Sequence, residues 1–101
     1  MNVLKTLGRI EELSYKMIES PTEIEKAIIY ATIKTLVDEI DSEIQENQKN
    51  GWGYVYEKLG ELTWHVQSMA HLDDGNGHDD DKHYVWLLGS LGTIKKNIEK
   101  I

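Results

Sequence analysis

The chain has no cysteine, no phenylalanine and a single proline among its 101 residues. Without cysteine there can be no disulfide framework, no thiolate metal site and no thiol nucleophile. Without phenylalanine the aromatic bulk rests on three tryptophans and five tyrosines, so each of them carries weight in packing or in contact with a partner. Long apolar runs are missing too, and nothing approaches the roughly 20 residues of a membrane span. Residues 1–10 set Lys5 and Arg9 among apolar side chains, without the continuous apolar stretch and small-residue site of a secretory signal. A cytoplasmic location is the expectation.

Positive charge is scarce: 11 lysines and arginines stand against 18 acids, for a formal net charge of −7. Residues 21–50 and 73–83 each carry −4, whereas 84–101 carry +2. Bulk electrostatic binding to duplex DNA is excluded by that balance. A chain of this kind meets a basic protein surface, or holds a small anionic ligand in one local basic pocket. Its length suits one domain with an adequate but not generous core, which leaves room for help from a partner subunit.

What is present is a seam that occurs twice. Trp52, Val55, Leu59, Leu62, Val66 and Met69 step by three and four, and so do Tyr84, Leu87, Leu91, Ile94, Ile98 and Ile101. This spacing keeps a narrow apolar stripe on one side of a helix, as two helices need to interlock along nearly parallel axes. The expected fold is all-α, an antiparallel four-helix bundle of two hairpins, closed within the chain or by oligomerisation. The helices are expected at about 2–19, 21–48, 53–72 and 80–100, in one domain spanning 1–101.

The first helix carries Val3, Leu7, Ile10, Leu13, Ser14, Met17 and Ile18 on one face. The second is expected to start with Ser20 as N-cap, Pro21 at the first helical position and Glu23 closing a capping box. It has two stripes about 150° apart, given 100° per residue. Ile24, Ala27, Ile28, Ala31 and Thr35 are expected to meet the first helix, while Ile29, Ile33, Leu36, Ile40 and Ile44 meet the second hairpin or another subunit. Asn50, Gly51 and Gly53 break the chain before the third helix, and Asp79 or Asp80 is placed to cap the fourth.

The loop 71–83 is rich in histidine and aspartate. Asp74-Gly75-Asn76-Gly77 echoes the centre of an EF-hand loop, but the register would put Leu72 and His83 at the two ends, where carboxylates are needed. The reading is a solvated loop with capping aspartates, and no metal site is assigned. Glu61 and His65 approach the Glu-x-x-His step of di-iron bundles only loosely, being four apart and beside the seam. No catalytic set can be assembled, so the chain reads as a non-enzyme without a cofactor.

Two groupings have the chemistry of contact. Arg9, Tyr15 and Lys16 on the first helix, with Lys26, Tyr30 and Lys34 on the second, combine phosphate-neutralising cations with phenols that stack on a base; the alternative is a solvated face paired with neighbouring glutamates. Trp64 and Trp86 fall outside the seams, each near a glycine, with His71 on the Trp64 side. They form a raised aromatic patch for an interface, or else lie under the second stripe of the second helix.

The stretch from Arg9 to Ile44, with Glu-Glu-Leu, Ile-Glu-Ser-Pro-Thr-Glu and a following Ala-Ile, resembles the helical hairpin of phage sponge proteins that sequester cyclic oligonucleotide immune signals. The arginine that the family carries after the capping serine is absent here. The resemblance implies a small, all-helical homo-oligomer in the host cytoplasm, capturing its ligand with tyrosine and lysine at subunit contacts. The functional expectation is therefore a non-enzymatic inhibitor or sponge of phage or mobile-element type, sequestering a nucleotide-like signal or occupying a host defence protein. The alternatives are an immunity-like or antitoxin-like bundle masking a basic protein, and a metal-dependent hydrolase working from the His/Asp loop.

Overall fold

Helix starts are written into side chains that can accept a hydrogen bond from the first free backbone N–H groups. Asn2 Oδ1 accepts from Lys5 N–H at 3.1 Å and opens α1 (Val3–Glu19). The second start is one residue pair later than expected: Thr22 Oγ1 accepts from Glu25 N–H at 3.1 Å, and α2 runs Glu23–Asn47. Ser20 instead ends α1, its N–H donating to the Met17 carbonyl. With Ser20 and Pro21 spent on the turn, the cap passes to Thr22, which has its own glutamate three residues on.

The computed structural model describes residues 2–47, 52–73 and 75–100. Beyond α1 and α2 it contains α3 (Trp52–Met69), a short 3-10 turn (Gly75–Gly77) and α4 (Asp80–Lys100), with no strand among the described residues. α3 stops short of residue 72 because His71 enters the left-handed region at φ 62°. His71 N–H donates to Ser68 O, and Leu72 N–H to Gln67 O, the paired bonds that close a helix C-terminus. Asp79 caps α4, accepting from Lys82 N–H at 2.9 Å.

The four helices form an all-α bundle in which α1 packs on α2 and α4, and α3 packs on α2 and α4. The two seams are its core. Val55, Leu59, Leu62, Val66 and Met69 face Leu87, Leu91 and Ile94, all buried, with Tyr84 and Ile98 partly buried at the edge. The Trp52 side chain and Ile101 lie outside the described residues. Leu7, Ile10 and Met17 of α1 are fully buried, and Ser14 joins them by donating to the Ile10 carbonyl at 2.8 Å.

Of the two stripes of α2, the one expected to meet the second hairpin packs inward, while the one expected to meet α1 is exposed. Ile29, Ile33, Val37, Ile40 and Ile44 enter the common core, with Leu36 beside them, whereas Ile24, Ala27, Ile28, Ala31 and Thr35 all face outward. In a four-cornered bundle each helix presents one arc to the centre. The arc that includes Ile33 and Ile40 meets α1 and α3 together, leaving Ile24 and Ile28 75% and 63% exposed.

Candidate functional site

Residues flanking the two seams of α3 and α4 meet across the outer groove of that hairpin. His65 precedes Val66, and His83 precedes Tyr84, so each ring stands just beside its helix's core stripe. Both are buried, and their Nδ1 atoms lie 3.1 Å apart. Since a neutral imidazole has one donor and one acceptor nitrogen, one ring donates this bond and the other accepts it. Burial, followed by the proximity of His83, holds the His65 imidazole below its ordinary pKa.

Trp64 and Trp86 enclose the pair. The Trp64 ring lies 5.0 Å from His65 and 5.1 Å, edge-on, from His83; Trp86 lies 5.6 Å and 5.4 Å from the same two rings. His78, from the segment before α4, meets Trp86 edge-on at 4.9 Å. Such tilted and edge-on contacts suit the ring quadrupoles. Trp64, His65, His78 and Trp86 line a cleft of about 550 Å³ between α3 and α4, with His83 buried behind them, and Lys58, Glu61, Gly89 and Ser90 also bound it. Lys58 is held by Glu61 at 3.1 Å and lies over the Tyr54 ring, so the rim carries a matched charge pair.

The second stripe of α2, an expected cover for the tryptophans, lies in the core on another side, and Trp86 remains 37% exposed. Of the two placements the sequence leaves open, the one beneath α2 is not found, because the groove between α3 and α4 faces outward. His71, expected on the Trp64 side, belongs to a neighbouring polar cleft of about 470 Å³ lined by Ser68, Asp73, His78, Asp79, Asp80 and Asp81. Its Nε2–H donates to the Asp80 carboxylate at 3.0–3.1 Å, and its Nδ1 stands 3.5 Å from Glu23. Lys26, buried, donates to the same Asp80 carboxylate at 3.2 Å. Among the described residues no group of three or more histidines and acids is arranged to hold a metal ion.

The other base-plus-aromatic residues do not share a pocket. Arg9 pairs with Glu12 at 3.5 Å and Lys34 with Asp38 at 3.0 Å, both on exposed helix faces. Lys16 borders a groove between α1 and α2 with Ser20, Glu25 and Ile28. Tyr15 packs against Tyr84 with centroids 6.3 Å apart, and Tyr30 is partly buried against the core. The His65–His83 contact escaped the sequence reading; the signal lay in the equivalent seam-flanking position of each histidine across the α3–α4 hairpin.

No described helix is long and apolar enough to cross a membrane. Comparison with protein-family models, curated proteins and solved structures finds no match.

Proposed function

We propose that this chain is a small non-enzymatic binding protein that acts by occupying a partner protein through the α3–α4 cleft. The observation that carries the reading is the gathering of Trp64 and Trp86, the two tryptophans outside the seams, around one open cleft. Half-exposed indoles set in a concave, partly desolvated surface are the side chains that contribute most to protein interfaces. A net charge of −7 directs the face toward a basic partner. An inhibitor of the phage or mobile-element kind, occupying a host defence protein, works in this way, and so does an immunity-like module masking a toxin. Capture of a nucleotide-like signal has less support, because Arg9, Lys26 and Lys34 are each held by a carboxylate.

A photo-crosslinking residue at Val85, which lines the cleft and is 63% exposed, tests this reading in cells. The expected result is an adduct with one basic protein, lost when Trp64 and Trp86 are both changed to alanine. Equal adducts from a crosslinker at Ile24, on the opposite open stripe, would refute it.

Self-association is a second reading, supported by the outward stripe of α2. Ile24 and Ile28 are exposed beside Ala27, Ala31 and Thr35, small residues that allow another helix to approach closely. Light scattering is expected to show a dimer that Ile28→Lys converts to monomer; a monomeric wild-type chain at tens of micromolar would rule it out.

A further inference from the structure

We propose that the α3–α4 cleft receives a guanidinium group, the end of an arginine side chain presented by a basic protein partner, between the indoles of Trp64 and Trp86. The inference rests on the binding reading above and names the chemistry of what enters.

Three properties of the cleft select this group. First, its walls are aromatic. Trp64 and Trp86 flank the same imidazole pair at 5.0–5.6 Å, and tryptophan is the ring that attracts a cation most strongly within about 6 Å of its centroid. Second, the histidine on its floor is held toward the neutral form. His65 lines the cleft and meets His83 at 3.1 Å through two Nδ1 atoms, and burial lowers its pKa, which disfavours its imidazolium. A floor of imidazolium would repel a cation, whereas this one extends the aromatic surface.

Third, the surroundings are acidic. Lys58 is neutralised by Glu61 at 3.1 Å, and the adjoining cleft, which shares His78, is lined by Asp73, Asp79, Asp80 and Asp81. An anionic ligand would meet Asp73, Asp79 and Asp81 besides two charge pairs, Lys58–Glu61 and Lys26–Asp80. Arginine suits the site better than lysine because a planar, weakly hydrated guanidinium stacks on an indole while its N–H groups point outward. The Ser90 hydroxyl on the wall and the Glu61 carboxylate at the rim are acceptors for those N–H groups.

The test is a fluorescence titration of the full chain at pH 7.5, in a Trp52→Phe background so that emission reports on Trp64 and Trp86. N-acetyl-argininamide is the probe, and N-acetyl-citrullinamide its neutral isostere. Saturable quenching by the arginine compound is expected, with a millimolar Kd and no saturation by the citrulline compound. Trp86→Leu should weaken binding about fivefold to tenfold, the loss of one desolvated cation–π contact, with far-UV circular dichroism unchanged. Trp86→Phe, which keeps a smaller π face, should fall between. Equal saturation by both compounds, no saturation by either, or full affinity in Trp86→Leu would each overturn the inference. These results are separable from the wider binding reading, because the Val85 crosslink to a partner would persist if the cleft accepted a neutral or apolar group instead.

Discussion

The Nδ1 atoms of His65 and His83 meet at 3.1 Å between α3 and α4, directly beside the seams that hold those helices together. One proton serves the contact. A second would turn the acceptor ring into an imidazolium, set two Nδ1–H donors against each other and place a charge in a buried space walled by indoles. The pair thus couples the bundle's packing to pH through two residues 18 apart in sequence.

The sign of that coupling follows from the lowered pKa of His65. The unfolded chain takes up a proton near the ordinary histidine value of about 6.5, while the folded chain takes it up only at lower pH. The stability that this contributes is therefore fully present above about pH 7 and is lost as the pH falls through 6.5 toward the folded-state pKa. Urea midpoints measured from pH 8 to pH 4.5 should decline more steeply in the wild type than in His65→Gln. Parallel curves would show that the pair has no part in acid sensitivity.

Core truncation should be costly on both seams. Leu62 and Leu91 are at most 1% exposed, so Leu62→Ala or Leu91→Ala is expected to cost about 2–5 kcal/mol, the loss from emptying a buried leucine site. Asp79→Ala, which removes only the cap of α4, should cost about 1 kcal/mol. Denaturant unfolding of the three variants would expose any inversion of that order.

Asp80 is expected to be the sensitive member of its aspartate run. It accepts hydrogen bonds from Lys26 of α2 and from His71. Asp80→Asn should cost about 1–3 kcal/mol, since it leaves the largely buried Lys26 ammonium without its anion, and Lys26→Met in the same chain should recover part of the loss. Additive costs in that double-mutant cycle would show that the two side chains do not interact.

Gly60, Gly89 and Gly92, like Gly8, sit in helix interiors with open space where a Cβ would go. Gly60→Ala and Gly92→Ala should each stabilise by about 0.5–1 kcal/mol. Gly89→Ala should stabilise similarly yet weaken cleft binding, because Gly89 lines that cleft. Gly77, at φ +79°, should respond in the opposite direction to alanine. Melting temperatures of the four variants check the signs.

Much of the fold was legible because the seams are unambiguous. Six positions stepping by three and four on each of the last two helices admit one buried face, and the described positions from Val55 to Met69 and from Leu87 to Ile94 are buried. The second helix was harder, since both Ile24–Ile28 and Ile29–Ile33 satisfy helical periodicity and only the arrangement of the other three helices decides between them. Ser20 and Thr22 are both plausible caps followed three residues later by a backbone N–H, and the proline between them settles the matter only in three dimensions. Trp64 and Trp86 could be recognised as lying off the seam. Their convergence on His65 and His83 could not, as it depends on how α3 and α4 are aligned across the loop.

The knot of Lys26, Asp80 and His71 ties the start of α2 to the junction between α3 and α4. Apolar helices can slide past one another by a turn, about 5.4 Å, and still interdigitate. Here such a slip would draw the Lys26 ammonium away from the Asp80 carboxylate and strand it beside the core. The same holds for a bundle wound with the opposite handedness, in which the first hairpin would lie on the far side of the second. One charged contact thereby makes a single alignment of two greasy hairpins cheaper than its near neighbours, and the tryptophan cleft inherits its shape from that choice.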